Sequence, residues 1–234
     1  MKFKQFYTEA VSEGGFKLNV ANVPVKKARA YAEEEFKKAG KDLDKLLPAF
    51  DTNYKALQKA TKKALDIPRV NMPVIEPADM KRFLKDITSG KVDIFKPFAK
   101  GKEFFPKDLK KGPEGEEFLN LGFKDGDKTD DIVPAKKKAV AANKLLPTQS
   151  QIWLEKLVDA MVKFGLPSPT SPIAKATIIV SKEGYILDGH HRYGQAMLGM
   201  PKLKMDSIFV PMDIDTLLKM GRSYGNAVGN QQKA

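Results

Sequence analysis

The chain has 234 residues, 42% of them hydrophobic and 30% charged, enough for one large domain or for a domain of about 100–130 residues with an extension, and too apolar for general disorder. It has no cysteine, which excludes disulfides, thiolate zinc sites and cysteine nucleophiles, and apolar runs such as Ala176–Val180 fall far short of the roughly 20 residues that span a bilayer. The formal charge of +12 is uneven: residues 1–110 carry 24 Lys and Arg against 15 Asp and Glu, and residues 111–234 carry 17 against 14, so attraction to nucleic acid or an acidic partner would come chiefly from the first half.

The opening segment has basic residues but no apolar run of secretory length, so cytoplasmic residence is the expectation. Met1–Gly15, with Phe6-Tyr7-Thr8-Glu9-Ala10 and Val11-Ser12-Glu13-Gly14, reads as an ordinary N-terminal helix. It is also similar to the short leaders of proteins packaged in the heads of large tailed phages, which are cut after a glutamate followed by Ala or Gly. That resemblance implies a phage-encoded protein, placed in the host cytoplasm or the virion.

From Val25 to Asp66, apolar residues at helical spacing (Ala32, Phe36, Leu43, Leu46, Leu47) predict a helical hairpin interrupted at Gly40 and Pro48. Asp51 is the expected N-cap of a helix ending near Leu65. An extended, proline-bounded stretch follows from Ile67-Pro68 to Pro77, and Pro77-Ala78-Asp79-Met80 opens a short helix through Lys85. Residues 89–131 scatter six glycines among charged residues and read as a long connection, with a strand or short helix around Glu116–Leu121.

After Asp131 the pattern sharpens. Ile132–Pro134 and Ala139–Leu146 read as extended, and Gln151–Phe164 as an amphipathic helix closed by Gly165. Then come a strand over Ile173–Val180, a turn at Lys182-Glu183-Gly184, a strand over Tyr185–Leu187, a helix from His190 to Leu198 ended by Gly199, a strand over Ser207–Val210 and a last helix over Asp213–Met220. The glycines at 221, 225 and 229 fit either a close-packing helix face or a flexible tail in which Arg222 could reach a phosphate. The fold class is α+β: a basic, mainly helical region over 1–88, an irregular connection over 89–130, a small mixed-sheet domain over 131–222 and a tail over 223–234.

The chemistry gathers at Asp188-Gly189-His190-His191-Arg192, where both histidines of the chain stand beside an arginine after a hairpin strand. The first turn of a helix offers unpaired N–H groups and the positive end of the dipole, which is what a phosphate needs. Gly189 permits close approach, Asp188 stands where an N-cap carboxylate belongs, and Arg192 presents a bidentate fork. His190 and His191, beside a phosphate, would hold their protons and add charge-assisted donors. A metal chelated by the two histidines fits less well, because adjacent helical positions point about 100° apart. Asp188 could instead share a magnesium ion with bound phosphates.

The run Gly184-Tyr185-Ile186-Leu187-Asp188-Gly189-His190-His191-Arg192-Tyr193-Gly194-Gln195-Ala196 resembles the signature of the ParB/sulfiredoxin superfamily, in its Asp-Gly-His-His-Arg version. Lys144-Leu145-Leu146-Pro147-Thr148-Gln149 is similar to the L-x-P-x-x-Q opening of ParB-like domains, and the match spans roughly residues 131–222. The resemblance implies nucleotide-phosphate binding at this turn and activities that include CTP or ATP hydrolysis, phosphotransfer to a small hydroxyl compound and nuclease action. In a site of that kind Gly189, His190, His191 and Arg192 would bind phosphate, and in the catalytic roles His190 and His191 would neutralise developing charge while Asp188 orients a histidine or a magnesium ion. The sulfiredoxin reaction is excluded, because its motif cysteine is matched here by His190. The free serine kinases use a glutamate base on an earlier loop, which here reads Thr148-Gln149-Ser150-Gln151; Glu155 or Asp159 would have to serve.

Three functions remain open. The first is a protein that binds, and hydrolyses or transfers the terminal phosphate of, a nucleoside triphosphate with magnesium. The second is a nucleic-acid-binding protein or nuclease gripping a backbone phosphate with the same turn. The third is a structural or head-packaged phage protein whose site is vestigial.

Overall fold

The computed structural model describes residues 17–68, 71–76, 78–89, 132–228 and 230. The expected leader and the glycine-spaced connection therefore lie outside the described residues. Within them the chain is mixed α+β, with helices α1 (Val25–Lys38), α2 (Leu43–Leu46), α3 (Phe50–Lys62) and α4 (Met80–Thr88) ahead of strands β1 (Lys136–Ala141) and β2 (Leu146–Pro147). There follow α5 (Leu154–Phe164), α6 (Pro172–Lys175), β3 (Ile178–Val180), β4 (Tyr185–Ile186), α7 (His190–Gly199), β5 (Lys204–Phe209) and α8 (Ile214–Ala227). The strands form a five-stranded mixed sheet in the order β1-β5-β3-β4-β2.

The contacts divide the chain differently from its composition. One unit comprises residues 1–66, 140–176 and 190–205; the other comprises 67–139, 177–189 and 206–234.

In the first unit, α1 buries Ala28, Ala32 and Phe36, one stripe at four-residue spacing, and exposes the pairs Arg29–Glu33 and Glu34–Lys38. Gly40, at φ +68°, ends it. α3 buries Phe50, Tyr54, Leu57 and Thr61. Asp51 lies in the first turn of α3 instead of capping it, because its carboxylate is engaged by Arg29 at 3.2 Å, and Ala49 takes the cap position. α5 begins at Leu154, three residues later than periodicity alone predicts. Ile152 and Trp153 are drawn into extended pairing with Asn19 and its neighbours. Gly165, at φ +91°, closes α5 as expected.

α7 is the central helix of this unit. Arg192 through Leu198 are all buried, so no face of it is left for water beyond its ends. It packs against α3 and α5. Gly194 makes that possible, since a Cβ there would stand 2.9 Å from both methyls of Leu157 and 3.3 Å from Ile152.

In the second unit, β3 (Ile-Ile-Val) is buried along its whole length. It pairs in parallel with β5, Ile179 opposite Ile208, and antiparallel with β4, Val180 opposite Ile186. The hairpin turns at Lys182-Glu183-Gly184 with Gly184 at φ +96°, and the Ser181 hydroxyl donates to Glu183 and accepts from the Tyr185 N–H. The expected strand over Ile173–Val180 is shorter. Pro172 sits at the start of α6, so Ile173 and Ala174 are helical and only the last three residues extend. β1 lies at one end of the sheet order and exposes Lys136, Lys137 and Lys138.

The core of this unit joins Phe83 and Ile87 of α4, Ile179, Ile208 and Leu217, with Phe83 edge-on to Tyr224 at 5.1 Å between ring centres. The Tyr224 hydroxyl donates to Asp86 at 2.9 Å. α8 therefore runs past Met220 to Ala227, and the tail expected from residue 223 is helical up to that point. The glycine spacing is a packing face. A Cβ at Gly221 would lie 2.8 Å from Leu187 and 3.1 Å from Pro73, and one at Gly225 would run into the Val74 carbonyl.

That carbonyl cannot rotate away as a flexible side chain could. Gly225→Ala should lower unfolding stability by about 2 kcal/mol, read as a shift in urea midpoint, whereas a flexible tail would leave the midpoint where it is.

Candidate functional site

The Asp188–Arg192 turn is built as the sequence predicts in its backbone. Gly189 takes φ +94°, a left-handed conformation that a side chain would strain, and α7 starts at the next residue. His190, His191 and Arg192 thus form the first helical turn. His190 is 5% exposed and Arg192 7% exposed, while Asp188 and His191 are half-buried.

The histidines face a partner that spacing along the chain does not reveal. Nε2 of His190 accepts the backbone N–H of Thr148 at 3.1 Å and that of Gln149 at 3.4 Å, and lies 2.7 Å from the Thr148 hydroxyl. Nε2 of His191 accepts the Trp153 N–H at 3.5 Å. An imidazole nitrogen that accepts an N–H carries no proton, so Nδ1 holds the proton of His190. Burial, and then the positive charge of Arg192, push His190 down to about 3.

In this arrangement His190 is a neutral acceptor of the residue 148 and 149 N–H groups, with Arg192 bringing positive charge to the same turn. A protonated His190 would turn its Nε2–H toward two N–H groups, a contact of donors with donors.

Glu155 and Asp159, the candidates for a carboxylate base, are engaged with the N-terminal residues. Oε1 of Glu155 accepts the N–H groups of Lys17 and Leu18, both at 2.9 Å. Asp159 lies 3.5 Å from the Tyr31 hydroxyl, and its carboxyl is held above the usual range by burial and by the nearby charge of Glu35. The carboxylate that does meet the 148–151 loop is Asp66. It accepts the Ser150 hydroxyl and is, among the described residues, the one non-glycine at positive φ, +56°. Its position just after α3 gave no sequence signal for this contact beyond the tolerance of Asp for that conformation.

In comparisons with known proteins, no family model, no curated protein and no solved structure matches this chain. No helix among the described residues is long and apolar enough to cross a membrane. No group of three or more His, Cys, Asp or Glu converges as a metal site among those residues.

The depressed His190 value fixes a sign for acid sensitivity. The side chain is neutral when folded down to about pH 3, whereas in the unfolded chain it protonates near 6.5. Its contribution to stability is therefore complete above pH 6.5 and is lost as the pH falls from there toward 3. Between about pH 5.5 and 4 the wild type should lose about 1.4 kcal/mol per pH unit more than His190→Asn, measured by urea unfolding at several pH values. Equal slopes for the two proteins would show that His190 is not held neutral.

Proposed function

We propose that the Asp188–Arg192 turn binds the phosphates of a nucleoside triphosphate, in a protein of ParB/sulfiredoxin-like kind, and hydrolyses or transfers the terminal phosphate. The observation that carries this reading is the buried first turn of α7. A left-handed Gly189 leads directly into a helix N-terminus, with the Arg192 guanidinium held in that turn. Arg192 supplies charge in a fork that matches phosphate oxygens. Phosphate oxygens at this turn would meet α7 N–H groups that have no helical acceptor.

In this reading His190 and His191 position the 148–153 loop, and Asp188 orients a histidine or a magnesium ion. A phosphotransfer breaks the bond between the terminal phosphorus and the bridging oxygen, forms a new bond from water or an acceptor hydroxyl, and releases the diphosphate. Asp188 would share a magnesium ion with the phosphates, since such an ion needs only one or two protein carboxylates and takes the rest of its ligands from phosphate and water. The ion would supply charge neutralisation.

Calorimetric titration with each of the four ribonucleoside triphosphates in magnesium tests the proposal. Arg192→Ala should weaken binding at least about 10-fold, the loss expected for a charge-assisted hydrogen bond, and phosphate release should fall with it. Affinity unchanged from wild type would remove Arg192, and with it this reading.

The basic excess of residues 1–110 favours one alternative, in which the turn grips a nucleic-acid backbone phosphate. That protein would bind single strands or duplexes with an affinity falling steeply between about 50 and 200 mM salt. A nucleotide enzyme shows only a shallow dependence.

A further inference from the structure

The loop between β2 and α5 is held by residues far away in the chain, all within the first unit. On one side it meets His190 and His191, through Thr148, Gln149 and Trp153. On the other, residues 18–20 run antiparallel to it at a single β-bridge. Asn19 bridges Trp153, the Val20 N–H donates to the Ile152 carbonyl at 2.8 Å, and the Leu154 N–H donates to the Leu18 carbonyl at 2.8 Å. The segment is fixed in turn from α3, where the Tyr54 hydroxyl and the Gln58 amide both donate to the Val20 and Val23 carbonyls.

Glu155 closes this arrangement. Its Oε1 takes the N–H groups of Lys17 and Leu18, and its Oε2 is buried with no hydrogen-bond partner among the described residues. We infer that Glu155 is a positioning residue: by holding residues 17–20 against Ile152–Leu154, it sets the 148–153 loop on His190 and His191, and so shapes the phosphate site from outside it.

The part that concerns ligand affinity rests on the proposed nucleotide reading; the part that concerns the loop does not. Trp153, the single tryptophan of the chain, sits at the junction and reports on it. In the full-length, ligand-free protein, Glu155→Ala should speed amide exchange at Thr148, Gln149 and Trp153 about 10-fold and shift Trp153 emission to the red. In the presence of ATP and magnesium it should also weaken binding, by the factor by which the fraction of protein with an ordered loop falls. Glu155→Gln keeps the Oε1 acceptor and removes the charge, so it should restore all three readouts. A role in the charge balance of the α5 N-terminus would instead make Gln behave like Ala.

Leu18→Pro provides a second route, because it deletes one N–H that Glu155 accepts and leaves Glu155 in place. It should reproduce the exchange and emission changes even where Glu155→Ala fails to fold. Wild-type exchange in Leu18→Pro, or Gln acting as Ala, overturns the inference. If the wild type binds no nucleotide, the functional reading fails, and exchange and emission still decide the role of Glu155.

Discussion

One imidazole nitrogen constrains much of the first unit. Nε2 of His190 has a single lone pair, and two backbone N–H groups and a hydroxyl converge on it. Residues 148 and 149 lie 42 and 41 positions earlier in the chain, so the contact ties the β2–α5 loop to the start of α7 at the cost of burying a titratable ring. Burial is tolerable only for the neutral ring, which is why the same contact fixes the tautomer and makes the region sensitive to acid. Both histidines, His190 closely and His191 at 3.5 Å, are tied to the 148–153 loop.

The remainder of α7 depends on room. A helix buried on all sides needs partners that come close, and Gly194 lets α5 approach to where a methyl group would already overlap Leu157. That closeness brings the N-terminus of α5, with Trp153 and Glu155, within reach of both the histidines and the segment at residues 17–20. Packing and site geometry are thus two results of the same small residue.

Much of this was legible in sequence where the signals are local. The β3–β4 turn, the Gly165 terminus and the extent of α7 follow from periodicity and from glycines needed at positive φ. So did the phosphate-suited turn, as a turn. What escaped was set by partners distant in the chain. Asp51 looks like a cap until Arg29, 22 residues away, takes its carboxylate. Gln151–Trp153 look helical until residues 18–20 pair with them, more than 130 positions apart. The protonation of His190 could not be read because it depends on which N–H groups meet it. The glycines of α8 admitted two readings, and Pro73 and Val74 decide between them.

The lysines of β1 change what the net charge of the chain means. Lys136, Lys137 and Lys138 are exposed on a strand at one end of the sheet order, and edge strands in general can template the pairing of another strand. Two copies meeting edge to edge would set ammonium against ammonium at close cross-strand distances. Part of the positive charge of this protein would therefore oppose edge-to-edge pairing of its own molecules, whether or not any polyanion ever binds.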